Sequence, residues 1–296
     1  MTHFQFAFRA IGTEWKIDFI ESDVIASDSI ANVVKARIEH FEETYSRFRD
    51  GSLIAQIRKT AGTYNLPTDA GPMLSLYEKL YSITHGKMTP LIGQVLVDAG
   101  YDAQYSLTPK EKILPAKKWK DVMEYHNDGP HPKLIIKEPV SLDFGALGKG
   151  HIIDIVGQLM TDSGIEEYTI NAGGDILHTS KDKIPQQIGL EDPRDTSKAI
   201  GVATIVNKSI CGSAGNRRTW NKFHHVIDAH SVESPRHITA LWVVAETTLL
   251  ADALTTALFF VSPEKLQKEF HFDYAILHAD GSLTHSIAFP GGFFTE

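Results

Sequence analysis

A carboxylate and a hydroxyl four residues apart, Asp252 and Thr256, lie in the run Ala251-Asp252-Ala253-Leu254-Thr255-Thr256. On a helix, positions i and i+4 share a face. The pair then offers the hard oxygen ligands that suit Mg²⁺, which keeps phosphate and water oxygens as its other partners. Local hydrogen bonding at a helix start is the alternative, although an acid in so apolar a segment needs a partner. A second cluster runs from Ser141 through Asp143-Phe144-Gly145-Ala146-Leu147-Gly148-Lys149-Gly150 into a predicted helix. Its glycines let the backbone approach a ligand, Lys149 adds positive charge, and the helix N-terminus offers unpaired N–H groups to an anion. That suits a phosphate, yet the spacing is not that of a Walker A loop. A tight strand-to-helix turn with a surface lysine would read the same way. The third cluster, Asn171-Ala172-Gly173-Gly174-Asp175, permits close backbone contact or simply turns the chain.

The fourth cluster is His224-His225-Val226-Ile227-Asp228. As a strand it would put His225 and Ile227 on one face and His224, Val226 and Asp228 on the other. A histidine beside an open site serves as a general base near neutral pH. Hydrogen-bonded or surface histidines are the alternative. His230 and His237 follow, but no cysteine or glutamate completes a zinc-ligand spacing.

Positioning these clusters requires a mixed scaffold. Phe4, Phe6 and Phe8, then Trp15, Ile17 and Phe19, alternate around Gly12-Thr13, which predicts an N-terminal strand pair. From about Ser27, Ile30, Val33, Val34, Ile38, Phe41, Tyr45 and Phe48 fall three to four apart, the apolar face of a long helix. Helices are predicted over residues 68–85, 150–163 and 247–260, with Gly86 and Gly164 closing the first two. Strands are predicted at 168–170, 199–206, 240–245 and 274–278, with a hairpin at Asp280-Gly281. Residues 105–133, rich in Lys, Pro, Asn, Asp and Gly, read as irregular surface connection. Strands and helices do not alternate regularly, so the class is α+β rather than doubly wound.

The 296 residues fit one large domain or two closely packed halves. A net charge of −8 argues against a general nucleic-acid binder. The single cysteine, Cys211, excludes an internal disulfide and any CxxC metal pattern. No stretch reaches the roughly 18 apolar residues of a membrane helix. The N-terminus shows no basic segment followed by an apolar run, so a cytoplasmic protein is expected, or a periplasmic one if a leader has been removed.

Taken in order, the clusters resemble the ApbE family, the FAD:protein FMN transferases. The resemblance begins at Ala10-Ile11-Gly12-Thr13 and continues through Ser46-Arg47-Phe48-Arg49, Thr89-Pro90-Leu91-Ile92-Gly93 and Ala99-Gly100-Tyr101. It then takes in the Asp143–Gly150 run, Asn171–Asp175, His224–Asp228 and Ala251–Thr256, and so spans about residues 8 to 290. Thr89 stands where the family usually has Asp, and Ala229-His230-Ser231-Val232-Glu233-Ser234-Pro235 replaces its Pro-x-Thr-Gly-x-Pro segment.

The resemblance implies a single T-fold-like α+β domain with FAD in a cleft between two halves. It implies Mg²⁺ held by the Ala146 carbonyl and the side chains of Asp252 and Thr256. Asp143 and Lys149 would contact FAD, with Ile11, Phe48, Lys87, Met88 and Thr89 lining its site and His225 as base. The implied reaction moves FMN from FAD to a threonine or serine hydroxyl on an exposed loop of an acceptor protein, releasing AMP. The same scaffold acting as a Mg²⁺-dependent FAD pyrophosphatase, or as a non-catalytic FAD-binding protein, is the alternative.

Overall fold

The computed structural model describes residues 2–21, 24–129, 131–215 and 218–294. The chain opens with the hairpin β1 (Thr2–Ala10) and β2 (Thr13–Glu21), followed by the long helix α1 (Val24–Tyr45). Next come α2 (Leu53–Ile57), β3 (Gly62–Asn65), α3 (Ala70–Ile83), α4 (Gly93–Asp98), α5 (Trp119–Val122), β4 (Met123–His126) and β5 (Lys133–Ile136). The second half comprises α6 (Gly148–Asp162), β6 (Glu167–Ala172), β7 (Asp175–Ser180), β8 (Gln186–Asp192), β9 (Asp195–Ile205), β10 (Lys208–Ala214), β11 (Thr219–Trp220) and β12 (Phe223–His224). It closes with β13 (Ile238–Ala245), α7 (Thr248–Ala257), α8 (Pro263–Leu266), β14 (Asp273–His278), β15 (Leu283–His285) and β16 (Gly291–Phe293).

Eight strands form the central sheet in the order β1-β2-β6-β7-β10-β13-β14-β15, and it stays open. Alternation in the strands gives the sheet two different faces. Trp15, Ile17 and Phe19 of β2, Ile170 of β6 and Leu241 and Val243 of β13 face one side and join the main core with Ile38, Phe41, Ile152, Val156 and Leu254 of the helices. The other side carries Ile176, Ile210 and Trp242, which pack against Leu190, Ala203 and Ile205 of a smaller sheet ordered β16-β9-β8. Helices thus cover one face and a second sheet half of the other, the layered α+β arrangement expected from the irregular order of elements.

Three expectations need correction, and the first concerns Phe48, which lies beyond the end of α1 at Tyr45 and is exposed rather than on its apolar face. Val33 is 47% exposed rather than packed. The buried stripe of α1 runs through Ile30, Val34, Ile38, Phe41 and Tyr45, and at 100° per residue Val33 falls on its flank. Residues 105–133 are not wholly irregular, because they contain α5 and β4, and β4 pairs with β5 in a third sheet ordered β3-β5-β4. Met123 and Val122, buried there in the core, are too short an apolar signal to stand out among the surrounding lysines and prolines.

The contact that brings the two catalytic-type clusters together is glycine-dependent. A Cβ on Gly150 of α6 would come within 2.3 Å of the Thr248 carbonyl oxygen and 2.7 Å of the Asp252 Cβ on α7. Backbone atoms cannot move out of the way cheaply, so Gly150→Ala is expected to destabilise the protein by about 1–3 kcal/mol. Denaturant unfolding of the two proteins measures this, and an unchanged midpoint would contradict the close approach.

Candidate active site

One end of the central sheet gathers the β1–β2 turn, the β6–β7 turn and the end of β10 against the first turn of α6 and one face of α7. They enclose a cavity of about 520 Å³. Every residue that the family resemblance assigns to the site lines it, namely Ile11, Phe48, Lys87, Met88, Thr89, Asp143, Ala146, Lys149, His225, Asp252 and Thr256, whereas Asn171, Asp175, His224 and Asp228 do not.

Local chemistry fixes each piece. The β1–β2 connection is a two-residue turn with both central residues at positive φ, Ile11 at 51° and Gly12 at 68°, the geometry that follows strand twist. Isoleucine is strained there, and its N–H is held by Glu42 Oε1 at 3.1 Å. At the β6–β7 turn, Gly173 and Gly174 have φ of 64° and 98°, and Asn171 Oδ1 accepts from the Gly174 N–H at 2.9 Å. A Cβ on Gly173 would sit 2.0 Å from Thr13 Oγ1 of the neighbouring hairpin, so the turn serves tight packing as well as chain reversal.

The turn before α6 is shaped by Asp143. Its Oδ1 accepts from the Gly145 N–H at 2.7 Å, and its Oδ2 pairs with the buried Arg47 guanidinium. Arg47 also donates to the Tyr101 carbonyl at 2.7 Å and lies 4.0 Å from the centre of the Phe48 ring. Phe48 stacks on Tyr105 at 5.8 Å, and Tyr101 stacks on Trp220 at 5.4 Å. Phe48, Tyr101 and Tyr105 line the cavity, and Trp220 backs them from behind. On the same side, Lys87 pairs with Asp228 at 3.3 Å, Met88 is buried, and the Thr89 hydroxyl accepts from the Leu91 N–H at 3.2 Å.

Lys149 stands in the first turn of α6, and its ammonium pairs with the buried carboxylate of Asp175 at the start of β7. The helix offers fewer free N–H groups than its sequence suggests. The Gly148 amide bonds the Phe144 carbonyl at 2.7 Å, and the Gly150 amide bonds Asp252 Oδ2 at 2.8 Å. The anion-binding capacity at this end therefore rests mainly on the Lys149 charge.

Helix α7 is set in place by a half-buried acid on α6. Asp154 accepts from the N–H groups of Thr248 and Leu249, both at 2.8 Å, and Thr247 caps Leu250. One turn further on, Asp252 is buried. Burial pushes its carboxyl pKa upward, opposed by the Lys149 charge and the Gly150 amide. Thr256 Oγ1 lies 3.5 Å from the Ala146 carbonyl oxygen. A carboxylate, a hydroxyl and a carbonyl on facing elements form an all-oxygen donor set appropriate to Mg²⁺, and a buried carboxylate gains from a cation beside it.

The histidine pair departs from strand alternation. Strand β12 ends at His224, whose Nε2 donates to the Pro235 carbonyl at 2.7 Å while its Nδ1 accepts from the Val226 N–H at 3.2 Å. Burial lowers the pKa of His224. The Val226 bond bends the chain, so His225, Val226 and Ile227 all border the cavity rather than alternating. His225 Nε2 lies 3.5 Å from Ser213 Oγ at the end of β10.

Ser213, Tyr105 and Arg218 also border the cavity, and sequence reasoning did not single them out. Arg218 donates to the Tyr101 hydroxyl at 3.1 Å. Each is an isolated polar or aromatic residue near turn residues, with no spacing that marks a ligand.

A model described as the ApbE family matches residues 11–273 of the chain. The chain is 23% identical over 276 residues to the FAD:protein FMN transferase of Klebsiella pneumoniae (strain 342), covering 88% of this chain and 79% of that protein. It is 24% identical over 263 residues to the FAD:protein FMN transferase of Treponema pallidum (strain Nichols), covering 79% and 72%. In structure it superposes on the ApbE protein of Thermotoga maritima with a TM-score of 0.82 at 19% identity, covering 97% of both chains. The flavin transferase ApbE of Vibrio cholerae gives 0.78 at 17%, covering 96% of both.

Proposed function

The chain belongs to the ApbE family, and on that premise we propose that it is a Mg²⁺-dependent FAD:protein FMN transferase. It takes FAD as substrate and joins FMN to a threonine or serine hydroxyl of an acceptor protein, with release of AMP. The observation that carries this reading is the convergence of Lys149, Asp252, Thr256, the Ala146 carbonyl and His225 on one cavity.

Asp252, Thr256 and the Ala146 carbonyl would hold Mg²⁺, and the bound ion supplies charge neutralisation at the pyrophosphate. Lys149, aimed by Asp175, places a second positive charge against the phosphates. Asp143, which the resemblance places against FAD, borders the cavity and has its two oxygens engaged by the Gly145 amide and Arg47, so its part is to hold the turn and Arg47 beside the flavin nucleotide. Ile11, Phe48, Lys87, Met88 and Thr89 border the flavin end of the cavity. His225 takes the proton of the acceptor hydroxyl as its oxygen bonds to the FMN phosphorus. The bond from that phosphorus to the bridging oxygen breaks, and AMP leaves with the electron pair.

Incubation with FAD, Mg²⁺ and an acceptor protein tests the reading, with mass spectrometry showing an FMN adduct. AMP released at the same rate without acceptor, and no adduct, would identify a pyrophosphatase instead. FAD binding without either product would leave a binding protein.

Because Lys149 and the 143–150 turn address a pyrophosphate, FAD should bind at least tenfold more tightly than FMN, a difference of about 1.4 kcal/mol. Calorimetric titration with each flavin checks this, and equal affinities would place the flavin elsewhere.

A further inference from the structure

A second depression, of about 690 Å³, lies on the opposite face of the central sheet. The small sheet covers β7, β10 and β13 through Leu190, Ala203 and Ile205 but stops short of β2 and β6. The outward-facing residues there, Lys16, Asp18, Thr169 and Asn171, form the floor of a groove. Its wall is β8.

Strand β8 is the edge of its sheet and pairs only with β9 among the described residues. Gln186, Gln187, Ile188 and Gly189 all border the groove. Successive residues of a strand point to opposite faces, so four in a row can share one groove only if it runs along the strand's edge. The outward backbone edge of Gln186–Gly189 therefore faces into it, with the Gln187 carbonyl accepting from the side chain of its neighbour Gln186 at 3.1 Å. Natural edges of this kind are commonly blocked by lysines, prolines or bulges. Pro185 precedes the Gln-Gln-Ile-Gly stretch and register shifts against β9 at Leu190–Asp192 follow it, so the edge open to pairing is confined to Gln186–Gly189, with the exposed Ile20 and Ile184 flanking the groove.

The groove and the catalytic cavity meet at the end of β10. Gly212, Ser213 and Ala214 border both, and Ser213 is the residue 3.5 Å from His225. FAD would fill the cavity from the helical side, so the acceptor hydroxyl must reach His225 by another route. We infer that an extended segment of the acceptor protein docks in this groove as an added strand on the free edge of β8, and that its hydroxyl-bearing residue passes Ser213 to reach His225. This rests on the transferase reading. Main-chain pairing supplies affinity in strand addition, and side chains of alternate residues supply selectivity. The regular part of the strand, Gln186–Leu190, spans roughly 16 Å, enough to hold four or five acceptor residues.

The probe is a pool of decapeptides, each with a single central threonine, supplied with FAD and Mg²⁺. Two variants block the edge: Gly189→Trp, where a Cβ meets nothing closer than 3.7 Å, and Gln187→Pro at an exposed position. The wild type is expected to flavinylate a subset of peptides. Both variants should keep the FAD Kd within twofold and raise the peptide KM at least tenfold. A measurement independent of turnover is hydrogen exchange of the wild type with a purified FMN-peptide product, which should slow amides of β8 and the end of β10. Unchanged peptide KM in both variants, or slowing that leaves β8 untouched, overturns the groove assignment while the transferase reading stands. A wild type that binds FAD but flavinylates no peptide counts against the transferase reading and removes the groove proposal with it.

Discussion

Asp252→Asn is expected to reduce FMN transfer by about 10³-fold, or roughly 4 kcal/mol of transition-state stabilisation, while the protein remains folded. The two side chains have nearly the same shape, and the amide oxygen can still accept from the Gly150 N–H that now bonds Oδ2 at 2.8 Å. Burial already works against the charged form of Asp252, so removing the charge relieves a desolvation cost rather than creating one. Denaturant unfolding should therefore show a stability equal to or slightly above that of the wild type. On the proposed reading the variant loses the anionic oxygen that would join Thr256 and the Ala146 carbonyl in holding Mg²⁺, and with it the affinity for the metal. A buried carboxylate kept where it is costly is the pattern of a functional site. Transfer rate measured against Mg²⁺ concentration should reach half-maximum at much higher metal in the variant, and the wild type should lose activity in EDTA and regain it with Mg²⁺. Matching curves, or full wild-type activity in EDTA, would remove Asp252 as a ligand.

The residues that form this cavity were largely legible because each belongs to a short run with a local signature. The i, i+4 relation of Asp252 and Thr256 needs only that α7 be a helix, and its apolar periodicity says so. The Asp143–Gly150 and Asn171–Asp175 runs declare themselves through glycines, and both turns sit where those glycines require. What could not be read are relations set by distant pairing. Lys149 looks like a free surface cation until β7 places Asp175 beside it. Gly150 looks like turn material, yet its function is to let α6 and α7 touch. Strands β7, β8 and β10 escaped notice because their sequences, such as Gln186–Asp192, carry polar and glycine residues that face the groove or the cavity instead of alternating cleanly. The histidine run misled for a related reason, since a side-chain bond from His224 to the following amide ends the strand where alternation would have continued it.

That same bond separates the roles of two adjacent histidines. His225→Ala should lower the transfer rate by about 10² to 10⁴-fold, the usual contribution of a general base, and leave the Kd for FAD within a few-fold of the wild type. On the proposed mechanism the hydroxyl proton departs only as the new P–O bond forms, so its acceptor would contribute to turnover and not to ground-state binding. His224→Ala should behave oppositely. Its ring is buried and bonded at both nitrogens, to Pro235 and to Val226, so truncation leaves those backbone groups without their partner at a cost of about 1–3 kcal/mol. The 224–228 segment would loosen, and the loss would show first in unfolding and in FAD affinity. Single-turnover transfer, FAD titration and denaturant unfolding of both variants distinguish the two patterns. A His225→Ala protein that transfers FMN at the wild-type rate would show that no proton acceptor is needed there, or that the Ser213 hydroxyl alone conducts the proton away. Combining His225→Ala with Ser213→Ala decides between those two outcomes, because only the second predicts a further fall in rate.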